Sequence, residues 1–338
     1  MWLGVFASQA EDQEKELHTF ATILENDYLY NPAPGLHQDR HYTAGLKMIY
    51  LGGGGEPAPL WARTLQLERV KSLLPEVWIG DTAANYGMVF GQNIYTPEDD
   101  RATNAIPNDR PYAGWLYLGA VIQRRGTVSD WDIPVLESFE FDAGIIGPDA
   151  QGELAQNTIH KWRHIQQFSG WDNQLKDEPA FDFKYGRAWK FAFSDATSRY
   201  LDFIPNIGSD LGTVRVSGNA GLTARFGWNL PDSFGPQTID SSIVLSTGRA
   251  TGLAGIYLFT QAEGSAVGRN AFLDGNLYQK SAHIDKEPLV GDLVYGLGAT
   301  LGKHLEGSWT FVTRTKEFVG QRGYDQFGSI NLKFKWGF

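Results

Sequence analysis

A chain of 338 residues with a formal charge of -10 lacks the basic footprint of a nucleic-acid-binding protein. It contains no cysteine, which excludes disulfides and thiolate metal sites, and its 39 glycines and 13% aromatics suit strands and turns better than helices. No run approaches the roughly 18 to 20 apolar residues of a transmembrane helix, but a barrel strand spans a bilayer with about ten residues, of which alternate ones face lipid.

In chain order, Trp2 to Ala7 followed by Ser8-Gln9-Ala10 reads as the end of a signal peptide with a small-residue cleavage site. Residues 1–10 are therefore taken as a signal remnant, and 11–338 as a single barrel domain. Period-two alternation then predicts about twelve strands, near 18–30, 41–52, 86–97, 112–124, 133–147, 181–194, 198–208, 212–228, 253–265, 288–303, 307–320 and 327–338. Phe139, Phe141, Ala143 and Ile145 alternate with Ser138, Glu140, Asp142 and Gly144. The last strand is the clearest: Ile330, Leu332, Phe334, Trp336 and Phe338 share one face, and Ser329, Asn331, Lys333 and Lys335 the other. Two lysines inside a dry core would be costly, whereas the wet interior of a membrane barrel accepts them. The fold expected is an all-β, transmembrane, antiparallel up-and-down barrel with a short helix in an extracellular loop.

With both termini periplasmic, the extracellular connections fall near 31–40, 98–111, 148–180, 209–211, 266–287 and 321–326. Two periplasmic connections, near 53–85 and 229–252, are longer than the short turns expected on that side. The first holds an amphipathic stretch from Leu65 to Leu74 that reads as a helix; alternation gives no reason for the second. The polar motifs gather at outer strand ends: Glu25-Asn26-Asp27, Asp39-Arg40-His41-Tyr42-Thr43, Asn108-Asp109-Arg110-Pro111-Tyr112, Gln156 with His160, and Arg314-Thr315-Lys316-Glu317-Phe318.

These motifs, together with Tyr42-Thr43-Ala44-Gly45, Gly170-Trp171-Asp172-Asn173-Gln174-Leu175 and Leu273-Asp274-Gly275-Asn276, occur in an order that resembles the lipid A 3'-O-deacylase family over about residues 20 to 338. The resemblance implies a twelve-stranded outer-membrane barrel that removes the 3'-linked acyloxyacyl chain of lipid A with a divalent metal, usually calcium. It makes His160 the general base and places Asn26, Asp27 and Thr43 at the other active-site positions, with Asn26 and Asp27 as metal ligands. Asp109, Arg110 and Gln156 are possible further members, Asp172 and Glu317 are further ligand candidates, and His164 competes with His160. The acidic residue that the family carries beyond this histidine has no counterpart between Lys161 and Gln167, which leaves the metal shell incomplete.

The register of Phe20, Leu24 and Tyr28 turns Asn26 outward and Asp27 inward, so the two can share a metal only if the rim twists or bulges. No Gly-x-Ser-x-Gly elbow is present, so water rather than a serine is the expected nucleophile. The expected partners are lipopolysaccharide and outer-membrane lipids around a monomeric barrel in a Gram-negative outer membrane. A calcium-dependent phospholipase and a porin-like channel are the alternative readings.

Overall fold

Twelve antiparallel strands close on themselves in a computed structural model that describes residues 17–30, 41–52, 60–73, 83–128, 132–194, 197–243, 245 and 252–337. The strands are β1 (Leu17–Asn26), β2 (His41–Gly52), β3 (Ala83–Thr96), β4 (Ala113–Val128), β5 (Ile133–Ile146), β6 (Glu178–Trp189), β7 (Leu201–Gly212), β8 (Arg215–Trp228), β9 (Ala254–Asn270), β10 (Leu289–Leu301), β11 (Leu305–Arg314) and β12 (Asp325–Gly337). Each pairs with its chain neighbours, and β1 closes the ring on β12 with Phe20 opposite Phe334. The predicted strand count and the up-and-down order both hold. The proposed signal remnant, Asp39-Arg40 and Phe338 lie outside the described residues.

The pattern is inverted relative to a water-soluble barrel. Phe20, Leu24, Leu118, Phe141, Phe181, Leu258, Leu332 and Phe334 are exposed on the outer wall, while charged side chains fill the interior. Buried charge is tolerable only when paired and hydrogen-bonded. Lys333 and Lys335 accordingly meet Glu306 at 3.1 and 2.7 Å, Lys47 meets Glu140 at 2.8 Å, and Arg225 forks onto Asp202. The polar face read from the last strand is this ion-paired lumen.

The long connection after β8 is not a loop hanging below the barrel. It turns into the lumen, which is the physical reason for its length. Ser233 accepts from Arg225 at 2.8 Å near the end that carries the termini. Higher up, Ile239 donates its amide to Glu25 at 2.9 Å, and Asp240 lies 3.3 Å from Arg314 at the far rim. On the return, Ser242 passes so close to Gly208 that a Cβ there would sit 2.0 Å from the serine oxygen, and Leu245 accepts from Gln123. This plug runs nearly the height of the barrel, so the chain itself occupies the space a channel would need. The other long connection carries a one-turn helix α1 (Leu60–Thr64), which the pattern does not indicate, and then α2 (Leu67–Leu73), the helix expected within Leu65 to Leu74.

The plug makes the conductance of the barrel predictable. The intact protein in planar bilayers should pass no measurable ionic current, whereas replacing residues 231–250 with a tight turn should open steady conductance. Steady conductance in the intact protein would contradict a filled lumen.

Candidate active site at the far rim

The site begins with a helix on the outside of the wall. On β3, Val89, Asn93 and Tyr95 point inward, so Gln92 and Ile94 face outward; on β4, Trp115 and Tyr117 line the lumen, so Gly114 and Leu118 face outward. Helix α3 (Gly152–Arg163) and the loop around it pack onto that outer face at the far rim. Gln92 donates to the carbonyl of Ala150 at 2.7 Å, and Ile94 is buried under Tyr112, Phe168 and Trp171, with Ala155 of the helix beside them. Gly114 permits the approach, because a Cβ there would meet that of Ala150 at 3.1 Å.

The helix turns Gly152, Gln156 and His160, four residues apart, toward the protein. Gln156 accepts from the indole of Trp171 at 3.1 Å, so its role is to fix the loop on which His160 stands. The helix ends where His164 adopts a left-handed φ of 57°. That residue reverses the chain, and the carbonyl of Gln166 comes back to Nδ1 of His160 at 2.5 Å. His160 is 6% exposed and packs beside Phe168, whereas His164 is exposed. The cap thus separates the two histidines: His160 is turned toward the protein and His164 away from it.

Facing the helix, β1 stops at Asn26 and the chain enters a 3-10 turn over Asp27–Leu29. Strand alternation therefore no longer governs Asp27. The Oδ1 atoms of Asn26 and Asp27 both accept from the amide of Tyr28, at 3.0 and 2.7 Å, so both residues present oxygen to one place. The Asn26 amide donates to the carbonyl of Thr43 at 2.8 Å. Thr43 sits at a register shift between β2 and β3, and its hydroxyl is engaged with that of Thr96 at 2.6 Å. The anticipated irregularity of the rim thus takes two forms, a turn in one strand and a bulge in its partner.

A cavity of about 890 Å³ at this rim is lined by Tyr28, His41, Asp109, His160, Arg163 and Phe318 among others, whereas Asn26, Asp27 and Thr43 are not among its lining residues and reach it only through Tyr28. The guanidinium of Arg163 lies 3.9 Å above the Tyr28 ring, which ties the helix to the turn that carries Asn26 and Asp27. His41 is the residue that sequence reasoning passed over. It is buried between Asp325, at 2.6 Å from Nδ1, and Asp109, at 3.4 Å from Nε2. Burial works against the charge on Asp109, but hydrogen bonds from His41 and from the amides of Glu98 and Arg110 outweigh it and hold the carboxyl below its ordinary value. Arg163 could have been found from its spacing, since it follows His160 by three residues on the same helix face.

The remaining candidates are elsewhere. Arg110 is fully buried beneath the cavity, paired with Glu317 at 3.2 Å and stacked on Tyr95. Glu317 is engaged by Arg110 and Arg314, and Asp172 is exposed on its own turn, so neither joins Asn26 and Asp27. The oxygens near the turn are hard donors: one carboxylate, one amide and the Thr43 carbonyl. Calcium accepts such donors but takes six to eight in all, and no group of three or more histidine or acidic side chains that could hold a metal occurs among the described residues.

A family profile described as outer membrane protein LpxR matches residues 1–336. Among solved structures, LpxR from Salmonella typhimurium superposes with a TM-score of 0.69 at 20% identity, covering 95% of this chain and all of that one. The β-domain of a Bordetella autotransporter, BrkA, gives 0.43 at 10% identity, covering 96% of this chain and 99% of that one. No curated protein matches.

The Arg110–Glu317 pair yields a stability prediction. Burial raises the Glu317 carboxyl, but Arg110 and Arg314 more than offset it and hold it below its ordinary value. A carboxyl depressed in the folded state stabilises fully above the unfolded value of about 4 and loses that contribution as pH falls through the folded value. Arg110→Ala should cost about 3 kcal/mol in denaturant titrations in detergent and move the onset of acid unfolding to higher pH. An unchanged onset would mean that Arg110 does not hold the Glu317 charge.

Proposed function

The chain belongs to the LpxR family of outer-membrane proteins, and on that premise we propose that it hydrolyses the ester holding the 3'-linked acyloxyacyl chain of lipid A, at the extracellular rim of a Gram-negative outer membrane. The observation that carries this reading is the orientation of His160 in the rim cavity. Nδ1 faces the Gln166 carbonyl, an acceptor that can only receive a proton, so Nδ1 carries the hydrogen and Nε2 is left as the base. A histidine in that tautomer takes a proton from water as the water oxygen attacks the ester carbonyl. The C–O bond to the sugar then breaks, and His160 returns the proton to the departing 3'-oxygen. The products are a free sugar hydroxyl and the released acid.

Asn26 and Asp27 are assigned to a calcium ion, which would polarise the ester carbonyl and stabilise its developing negative charge when bound. Thr43 acts as a positioning residue, because its carbonyl anchors the Asn26 amide while its hydroxyl is engaged by Thr96. Asp109 holds His41 at the opposite wall of the cavity. Among the described residues lining that cavity there is no serine, which favours direct attack by water over an acyl-enzyme and counts against a serine phospholipase. A filled lumen counts against the porin reading.

Mass spectrometry of lipid A from cells expressing the protein should register loss of the 3' acyloxyacyl group, and His160→Ala should slow that loss by about 10²–10⁴-fold. Asp27→Ala should raise the calcium concentration needed for half-maximal rate. Intact lipid A accompanied by lysophospholipid would contradict the assignment.

A further inference from the structure

Helix α3 carries apolar residues that its contact with the wall does not use. Gly152, Gln156 and His160 occupy the buried face, yet Leu154, Ile159 and Trp162 are 62%, 48% and 81% exposed, and Ile165 just beyond the helix is exposed as well. Residues three and four apart on a helix lie side by side. Ala155, Ile159 and Trp162 therefore form a stripe along one flank, whereas Glu153, Asn157, Lys161 and His164 fall on the other. An ordinary loop helix would direct its apolar stripe at the protein. Here Ala155 meets the wall, while Ile159 and Trp162 beside it are left open.

The position of the helix gives this flank an occupant. It packs on the outward-facing residues Gln92, Ile94 and Gly114, above exposed Met88 and Leu118 on the same strands. The open flank is thus continuous with the wall that faces lipid. Lys161 follows at the C-terminal end of the helix, where a cation favours the helix dipole and can reach anionic headgroups. Tryptophan is enriched at this depth, between hydrocarbon and water.

We propose that α3 is an interfacial helix whose Ile159 and Trp162 flank is seated in the anionic lipid of the outer leaflet. The seating presents the His160 cavity at the depth of lipid headgroups. It is independent of which ester is cleaved, since it concerns only where the helix rests.

The cysteine-free chain allows a direct test. Single variants Ile159→Cys and Trp162→Cys on the apolar flank, and Glu153→Cys and Lys161→Cys on the polar flank, are labelled with an environment-sensitive fluorophore. Each full-length protein is reconstituted into phospholipid vesicles containing lipopolysaccharide, with heat-modifiable gel migration used to select folded barrels. Labels at 159 and 162 should emit at shorter wavelength, and be quenched severalfold more by shallow nitroxide lipids and severalfold less by iodide, than labels at 153 and 161. If Trp162→Cys does not fold, Ile159→Cys carries the comparison. Equal quenching on both flanks would overturn the proposal, as would concentration-dependent self-quenching at 159 with no effect of nitroxide lipid, which would place a second copy there.

Discussion

The packing of one helix against the outside of the barrel wall is the contact on which the candidate site depends. Had α3 folded over the mouth, His160 would face the lumen and could receive only what diffused through water. Because Ile94 and Gly114 lie on the outward register, the helix that buries them stands at the lipid side of the rim. A period of two along β3 and β4 therefore decides from which medium a substrate arrives. The glycines at 114 and 152 are small for the same reason: each occupies the line of closest approach between wall and loop.

That arrangement requires a rigid wall, and the interior supplies it. An open polar lumen would let water compete for every buried charge. Here the segment after β8 enters the barrel and gives Arg225, Glu25 and Arg314 fixed partners at three heights. Glu25 joins the plug to β2, since it accepts both from the Ile239 amide and from the Tyr42 hydroxyl. It also precedes Asn26 in the chain. The same buried carboxylate thus links the packing of the lumen to the turn that carries the proposed metal ligands, and the lumen and the site are built from opposite faces of one strand.

Much of the barrel was legible because alternation is a local signal. The polar face of Lys333 and Lys335 pointed to a wet interior, and both are paired with Glu306 there. The plug was not legible, because its residues show no period and their partners lie on strands as far apart as β1, β4, β8 and β11. At the candidate site, ordered motifs nominate His160 and the Asn26-Asp27 turn, but their geometry is not legible in them. The strand register does not carry over to Asp27, because the strand ends at Asn26 and a 3-10 turn follows. His41 was hidden for a related reason. Its neighbours Asp109 and Asp325 are distant in sequence, and only closure of the barrel brings them to one imidazole.

The proposed site joins the Asn26-Asp27 turn to His160 through Arg163 stacked on Tyr28, at the edge of the cavity that Tyr28 and His160 line. A crystal structure of the protein grown with calcium tests it most directly. The expected result is one ion with oxygens of Asn26 and Asp27 at about 2.3–2.6 Å, beside the cavity that His160 lines. Calcium held instead by Glu98, Asp99 and Asp100 across the cavity, with Asn26 and Asp27 free of metal, would contradict it.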